Sequence, residues 1–269
     1  MKKLLIFTCI IALTLSCFIG CGERDENHII VGASATPHAE ILEFIKEDYE
    51  ALGYKLEIKI YTDYIMPNAS LANNDLDANY FQHLPYLQQY NKKNSTNLIS
   101  ACAVHYEPMG IFANGLSSIA DISSNATIII PADQSNQARA LFLLAENGLI
   151  TLEEGATIES VTVLDVLDTK GHTLRPVEAA SIPAQLKNGN HGTVAVINGN
   201  YALSSGISLS TALATKDRNS EAALTYANIL AVKAGSEQRQ AIKDLVTLLT
   251  SEKVKNYISS SYQGAVLPL

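Results

Sequence analysis

The sequence predicts an α/β protein of two lobes, and three features indicate it. Short apolar runs typical of strands are followed by segments in which apolar residues keep helical spacing. Such alternation of strand and helix favours open α/β sheets. The length of 269 residues is enough for two ordinary domains. Two extended segments in the chain provide candidate connections between the lobes.

The first strand and helix patterns form one unit. An apolar strand at 29–32 is followed by a helix with Thr36 as its N-cap, Pro37 at its first position and Gly53 after its last turn. Residues 55–60 then alternate apolar and polar side chains, as a half-buried strand does. These elements predict a βαβ unit at the start of the folded chain.

Strand and helix patterns alternate again in the middle of the chain. A buried type of strand at 127–130 leads into a helix that starts near Ser135 and is closed by Gly148. Two more short apolar strands are predicted at 161–166 and 193–197. The tail of the chain has two further helical patterns, which we expect to complete the first lobe.

The extended segments 101–113 and 226–233 delimit the lobes. If both segments cross between the lobes, the start and the end of the chain belong to one lobe and the middle to the other. The predicted boundaries are 29–108 plus 234–269 for lobe I, 112–226 for lobe II, and 108–112 and 226–233 for the crossovers.

Composition excludes several classes of protein. With 47% hydrophobic and 17% charged residues, the chain is too apolar to be disordered. Its net charge of −8 leaves no excess of basic side chains for phosphates, which argues against a nucleic-acid partner. Because Trp is absent while Tyr occurs 12 times, an aromatic pocket must be built from Tyr and Phe. We therefore expect a small-molecule ligand.

The first twenty residues have the pattern of an export signal. Two lysines precede an apolar run of about a dozen residues, which is too short to span a bilayer. The sequence FIGC at 18–21 resembles a bacterial lipobox, in which a lipidated Cys21 becomes the first residue of the mature chain. An ordinary secretory signal cut elsewhere is the alternative. We expect a signal peptide at 1–20, a tether at 21–28 and an exported protein whose lipid anchors it to a bacterial membrane, on the periplasmic or cell-surface side.

Polar side chains cluster where predicted strands end. In open α/β sheets, ligands bind beyond the carboxyl ends of strands, often at the N-terminus of a helix. Residues 133–138 lie at such a place, and Arg139 follows one turn into the helix, where it could clamp a carboxylate. Asn198 follows another strand, and Phe81 and His83 lie in a third polar segment. The structural alternatives are a surface ion pair for Arg139, a plain turn at Asn198 and core packing of Phe81 and His83.

Six segments in chain order carry a closer resemblance. They are TPHAEIL at 36–42, YTDY at 61–64, LDANYFQH at 76–83, HYEPMG at 105–110, IP at 130–131 with NQARAL at 136–141, and VINGNY at 196–201. Together they resemble the methionine-binding lipoproteins of the NlpA/MetQ family, and the match is collinear from Val31 almost to the C-terminus. One such segment would be weak evidence, whereas six in order are strong.

The resemblance implies a fold, a function and a set of site residues. The fold would be a type II periplasmic-binding-protein-like fold, in which two α/β lobes close over a ligand in the cleft. The protein would be no enzyme and need no cofactor or metal; it would bind L-methionine and deliver it to the permease and ATPase subunits of an ABC importer. Arg139, helped by Asn136, would hold the carboxylate, and Asn198 and Asn228 would hold the polar end of the amino acid. The thioether would be surrounded by Tyr61, Tyr64, Tyr80, Phe81 and His83.

Other functions stay open to different degrees. D-methionine or a methionine-containing dipeptide is the nearest alternative ligand, because loop shapes decide the ligand length that fits. A metal-import protein is disfavoured by the absence of close HxxxH or CxxC spacing, and a hydrolase by the absence of a GxSxG motif. A surface lipoprotein with a contact or adhesion role differs from a transport protein in that it need not bind one amino acid tightly.

Overall fold

The computed structural model describes residues 25–158, 160–216 and 224–269. These residues form two α/β lobes, one on a six-stranded sheet and one on a five-stranded sheet, as the sequence predicts. No helix in this part of the chain is long and apolar enough to cross a membrane. The predicted signal peptide and Cys21 lie outside the described residues.

The regular elements are numbered in chain order. The strands are β1 (His28–Ser34), β2 (Lys55–Tyr61), β3 (Ala78–His83), β4 (Leu98–Tyr106), β5 (Gly110–Ala113), β6 (Thr127–Pro131), β7 (Thr151–Leu152), β8 (Val166–Asp168), β9 (Thr173–Val177), β10 (Val194–Ile197), β11 (Ala214–Thr215), β12 (Asn228–Lys233) and β13 (Leu267–Pro268). The helices are α1 (Glu40–Ala51), α2 (Met66–Ala72), α3 (Leu84–Asn94), α4 (Gln134–Glu146), α5 (Ile182–Lys187), α6 (Gly199–Ser204), α7 (Gln240–Leu249) and α8 (Glu252–Ser261).

Lobe I is built on the sheet of order β13-β4-β12-β3-β1-β2. Strand β1 pairs in parallel with β2 and β3, and β12 lies antiparallel between β3 and β4. The side chains of successive residues in β12 point to opposite faces of the sheet, because side chains alternate along a strand. Leu230 and Val232 pack into the cluster that contains α1, α7 and α8, whereas Ile229 and Ala231 pack against α2 and α3. The predicted C-terminal helices therefore do complete this lobe.

Lobe II is built on the sheet of order β11-β5-β10-β6-β9. Strands β9, β6 and β10 run parallel, and β5 is antiparallel to β10. Helix α4 buries Ala138, Leu141 and Leu144 against one face of the sheet. Helices α5 and α6 cover the other face, where Ile182 and Tyr201 are buried. Both faces of the parallel strands are covered, as their continuous apolar sequences require.

The structure differs from the sequence-based expectation at the second crossover. The chain leaves lobe I after β4, which ends at Tyr106, and enters lobe II at β5, which begins at Gly110, whereas the first crossover is expected at 108–112. The segment 226–233 is from Asn228 onward the central strand β12 of lobe I. The return to lobe I therefore lies between β11 and β12. Residues 226–233 look extended in the sequence because they form a strand that is buried on both faces.

Two local predictions were wrong in detail. The expected strand at 161–166 is a 3₁₀ turn at Val163–Asp165, and β8 begins only at Val166. Thr162 and Asp165 form a reciprocal capping box, which fixes a turn where apolar composition favours a strand. The regular part of α1 begins at Glu40 after an irregular turn, and Thr36 donates a hydrogen bond to the Glu40 carboxylate at 2.6 Å without capping the helix.

The packing of α7 on lobe I gives a stability prediction. Ile242 is completely buried in the lobe I core, so Ile242→Ala should lower the free energy of unfolding by about 2 to 5 kcal/mol. The neighbouring Lys243→Ala is the matched control, because Lys243 is exposed and should change stability by less than about 0.5 kcal/mol. Urea unfolding followed by circular dichroism measures both. Equal small effects would contradict the burial of α7 in this core.

Candidate ligand-binding site

A cavity lies between the two lobes. Lobe I contributes an aromatic wall, lobe II contributes amides and a guanidinium, and the first crossover contributes one carboxylate. The lining residues are Tyr64, Phe81, Gln82, His83, Tyr86 and Asn228 from lobe I, Asn136, Arg139, Asn198, Gly199 and Asn200 from lobe II, and Glu107.

Strand register in lobe I places polar groups at one edge of the sheet. Asn228, the first residue of β12, is directly opposite His83 at the end of β3 and His105 near the end of β4. Because β12 runs antiparallel to both neighbours, its beginning meets their carboxyl ends. The topology thus brings together three polar side chains that are far apart in the sequence.

The parallel strands of lobe II place their following loops side by side. Strand β6 leads to Asp133, which caps α4 by accepting a hydrogen bond from the backbone N–H of Asn136 at 3.0 Å. Strand β10, the neighbour of β6, leads to Asn198. The Asn136 Oδ1 atom accepts from Asn198 Nδ2 at 2.7 Å and from Arg139 Nη1 at 3.1 Å. Both asparagines and the arginine are therefore fixed relative to one another.

Direct contacts between the lobes close the cavity. Tyr64 in lobe I donates a hydrogen bond to Asn200 Oδ1 in lobe II at 2.5 Å. His83 Nδ1 accepts from the backbone N–H of Tyr86 at 3.3 Å, so the proton of the neutral ring lies on Nε2, which donates to Asn136 Oδ1 at 3.3 Å. The lobes are thus held together by bonds between residues that themselves line the cavity.

Arg139 is oriented by three neighbours. Its Nη2 donates to the carbonyl oxygen of Glu107 at 3.2 Å, and its Cζ lies 4.5 Å from the centre of the Tyr226 ring, a cation–π contact. Together with the bond to Asn136, these contacts use only part of the five N–H donors of a guanidinium. The remaining donors can serve an anionic group in the cavity.

Glu107 supplies a negative charge to the same cavity. Its side chain is buried, and burial raises the pKa of its carboxyl, while His38, Arg139 and the backbone N–H of Asn200 act in the opposite sense. The cavity therefore holds a guanidinium and a carboxylic acid group close together, with amides around them.

The buried histidines of the site are neutral. Desolvation lowers the pKa of His83 to about 3, with a further contribution from the Arg139 charge. Burial likewise lowers the pKa of His38 to about 4 and that of His105 to about 3. At neutral pH these imidazoles add hydrogen-bonding groups to the site but no charge.

Aromatic rings also line the cavity. The Tyr64 ring lies 5.8 Å from Phe81 and 5.9 Å from Tyr86, in tilted and edge-on arrangements. Tyr201 packs on Tyr64 from lobe II at 4.6 Å. Burial raises the pKa of Tyr64 well above its ordinary value, so this wall is uncharged. A ligand in this cavity would therefore meet polar and charged groups together with aromatic rings.

Comparison with known proteins identifies the family of the chain. The family model described as NlpA lipoprotein matches residues 29–269. The chain belongs to the NlpA lipoprotein family. Members of this family are substrate-binding lipoproteins and not enzymes, which confirms the resemblance found in the sequence.

Individual relatives of this NlpA-family chain agree with the assignment. The methionine-binding lipoprotein MetQ of Bacillus subtilis is 36% identical over 276 residues, covering 100% of this chain and 99% of the relative. A lipoprotein structure from Ruminococcus gnavus is 44% identical, with a TM-score of 0.86 over 90% of this chain and 99% of that one. A nutrient-binding protein from Burkholderia cenocepacia, solved bound to methionine, is 33% identical with a TM-score of 0.83, covering 89% and 99%. The two-lobed binding-protein fold is thereby confirmed.

The structure brings most of the predicted site residues together in this NlpA-family lipoprotein. Two of the residues expected around a thioether lie elsewhere. Tyr80 and Phe81 are neighbours in β3 and point to opposite faces, so Phe81 lines the cavity while Tyr80 is buried in the lobe I core. Tyr61 ends the edge strand β2 and packs beside the apolar cluster of α2 and α3. The predicted residues that do line the cavity are Tyr64, Phe81, His83, Asn136, Arg139, Asn198 and Asn228.

Sequence reasoning missed five lining residues. Two of them, Glu107 and Tyr86, have sequence positions that could have identified them as site residues. Glu107 directly follows β4, and Tyr86 lies in the first turn of the helix after β3, as Asn136 does in the helix after β6. Both residues could therefore have been predicted to line the cavity, because each follows the end of a strand. Gln82, Gly199 and Asn200 complete the missed set.

The described residues include one group with the composition of a metal site. His38, His105 and Glu107 offer donor atoms that lie within 4.8 Å of one another. Both imidazoles, however, contact the same carboxylate oxygen through Nε2, at 3.4 Å from His38 and 2.7 Å from His105. In this structure the group is a hydrogen-bonded network behind the cavity.

The low pKa values of the buried histidines predict acid sensitivity. An unfolded histidine takes up a proton near pH 6.5, whereas the folded ones do so only near pH 3 to 4, so the unfolded state binds more protons in between. The free energy of unfolding should therefore fall as the pH drops from about 6.5 towards 4, by up to about 1.4 kcal/mol per pH unit for each histidine. The raised pKa of Glu107 acts in the opposite direction above pH 4.5 and offsets part of this loss.

Urea unfolding between pH 7 and 4.5 measures this slope. His83→Gln should reduce the dependence of the unfolding free energy on pH by the contribution of one histidine. His191→Gln is the control, because His191 is exposed, and it should leave this dependence unchanged. A stability that rises on acidification, or an equal effect of both variants, would contradict a neutral buried His83.

Proposed function

We propose that this NlpA-family lipoprotein binds L-methionine outside the cytoplasm and delivers it to an ABC-type importer. The observation that carries the proposal is that a guanidinium, a carboxyl group and several aromatic rings line the same cavity. A zwitterionic amino acid with an apolar side chain matches this distribution of charge. The methionine-binding relative from Bacillus subtilis and the methionine-bound structure from Burkholderia cenocepacia support the choice of methionine.

Arg139 would bind the α-carboxylate of the ligand. The planar guanidinium suits a carboxylate, and its bonds to Asn136 and to the Glu107 carbonyl fix its orientation before the ligand enters. Asn136 already accepts a bond from Asn198, so the two amides support the arginine as a unit. Preorganised donors of this kind improve affinity because little ordering is left to the binding step.

Glu107 and Asn228 would bind the α-ammonium group. An ammonium group needs oxygen acceptors, and Glu107 and Asn228 both line the cavity, each with a side-chain oxygen within 3.4 Å of His38 Nε2. The Asn228 Oδ1 atom is held at 3.0 Å from His38 Nε2, and an amide oxygen has a second lone pair for a ligand. A buried carboxylate and an ammonium group also neutralise each other, which lowers the cost of enclosing both.

The thioether side chain would lie against the aromatic wall. Tyr64, Phe81 and Tyr86 present ring faces and edges, and sulfur makes favourable contacts with aromatic rings. His83 lies between this wall and the amides of lobe II. These rings would favour methionine over short or charged side chains.

Closure of the two lobes would link binding to delivery. The bonds Tyr64 to Asn200 and His83 to Asn136 join the lobes around the cavity, so a bound ligand would favour the closed form. The permease and ATPase subunits of an importer can select that form. A lipid on Cys21 would hold the protein at the outer side of a bacterial membrane, near the permease.

Titration calorimetry tests the ligand. The protein is unfolded and refolded to remove carried-over ligand, and L-methionine, D-methionine and glycyl-methionine are then added separately. We expect one-to-one binding that is tightest for L-methionine. Tighter binding of D-methionine or of the dipeptide would change the assigned ligand, and no heat with any of the three would reject methionine binding.

Replacement of Arg139 tests the carboxylate clamp. Arg139→Ala should weaken L-methionine binding by about 100-fold or more, because it removes charge-assisted hydrogen bonds worth roughly 1.5 to 3 kcal/mol each. Arg175→Ala is the matched control, since Arg175 is exposed in lobe II and does not line the cavity. Unchanged calorimetric affinity of the Arg139 variant, with the control also unchanged, would remove Arg139 from the site.

A further inference from the structure

Two buried imidazoles stand behind the Glu107 carboxylate. His105 Nε2 lies 2.7 Å from Glu107 Oε1, and His38 Nε2 lies 3.4 Å from the same oxygen. Both histidines are completely buried, and neither lines the cavity, whereas Glu107 does. The carboxylate therefore faces the ligand on one side and the two rings on the other.

The hydrogen bonds determine which nitrogen of His105 carries the proton. The hydroxyl of Tyr80 is in hydrogen-bond contact with His105 Nδ1. Burial raises the pKa of Tyr80 well above its ordinary value, so the phenol keeps its proton and donates it. Nδ1 is then the acceptor, and the neutral ring carries its proton on Nε2, where it donates to Glu107.

His38 has the same tautomer for a different reason. Its Nε2 contacts two oxygen atoms, Asn228 Oδ1 at 3.0 Å and Glu107 Oε1, and an oxygen acceptor requires a donated proton. Its Nδ1 has no hydrogen-bond partner among the described residues, so no bond favours a proton there. The His38 N–H thus donates to Asn228 Oδ1 and lies beside the Glu107 carboxylate, the two groups to which we assign the ligand's ammonium.

Lobe II also packs against the Glu107 side chain, at Cβ and at Oε2. The backbone N–H of Asn200 donates to Glu107, and a Cβ atom at Gly199 would lie only 2.8 Å from Glu107 Cβ and 3.1 Å from Oε2. Only glycine allows this approach. His105 Nε2–H and the backbone N–H of Asn200 therefore donate to one carboxylate from separate elements, and His38 Nε2 lies 3.4 Å from it. Hydrogen bonds donated to a carboxylate favour its ionised form.

We propose that His38 and His105 are positioning residues that present Glu107 as an anion to the ammonium group of the ligand. They thereby make the site select amino acids over carboxylates that lack the α-amino group. The inference rests on the proposed function, in which Glu107 binds the ammonium. It assigns a role to Tyr80 as well, since its hydroxyl fixes the tautomer of His105.

The test compares two ligands that differ only in the amino group. Calorimetric or competition affinities are measured for L-methionine and for 4-(methylthio)butanoate, its des-amino analogue, with the wild-type chain, His105→Leu and His105→Gln. We expect His105→Leu to weaken L-methionine binding at least 10-fold and the analogue less than 3-fold. His105→Gln should restore L-methionine binding to within about 3-fold of wild type, because its amide N–H can replace Nε2–H.

A milder variant provides the same test if His105→Leu does not fold. Tyr80→Phe keeps the packing of the ring but removes the hydroxyl that fixes the His105 tautomer, and it should weaken L-methionine binding about 3- to 10-fold with the analogue unaffected. Equal losses for both ligands, or no rescue by glutamine, would show that the histidines serve the fold alone and would overturn the proposal. Stoichiometric zinc binding that His105→Gln abolishes would also overturn it, because Nε2 would then bind metal and carry no proton.

The outcomes separate this inference from the proposed function. If the wild-type chain binds neither L-methionine nor the analogue, the proposed function fails. If it binds L-methionine and the variants do not change the preference between the two ligands, only the inference about the histidines fails.

Discussion

The structure of the site depends on the cost of burying a carboxylate between two lobes. Glu107 is almost fully enclosed, and an isolated buried charge is prohibitively unfavourable unless donors or an opposite charge compensate it. The compensation comes from His38 and His105 in lobe I, from the Asn200 backbone in lobe II and from the nearby Arg139. His38 and His105 reach Glu107 from lobe I, whereas the Asn200 backbone and Arg139 lie in lobe II. The need to stabilise one carboxylate thus ties the two lobes, the first crossover and the cavity together.

The two lobes contribute different chemistry because their sheets are built differently. Lobe I ends in a mixed group of strands whose register aligns His83, Asn228 and His105, with aromatic rings on the segments that follow. Lobe II ends in two parallel strands followed by helices, which bring Asn136 and Asn198 side by side. A ligand with a polar head and an apolar tail needs both surfaces, so neither lobe alone forms a complete site. Under the proposed function, this division would couple binding to lobe closure.

The polar groups of the site are mostly bonded to one another in the closed form. Asn136 contacts Asn198, Arg139 and His83, and Tyr64 contacts Asn200. Such a network fixes directions in advance and leaves few groups to be ordered by a ligand. It also means that substitution of one member disturbs several others, so variants of neighbouring residues are not expected to have additive effects.

The sequence by itself determined the α/β class and most strands and helices, because periodicity, caps and turn residues are local properties, and its resemblance to the NlpA/MetQ family implied the seven predicted residues that line the cavity. It placed Asn136, Arg139 and Asn198 at the cavity through the rule that ligands bind beyond the ends of parallel strands. Only the tertiary structure decided that 226–233 is a central strand and that Tyr80 lies behind the cavity. Such features depend on the order of strands in the sheet, on which face of a strand meets the cleft and on contacts between segments far apart in the chain. Local sequence patterns carry none of that information.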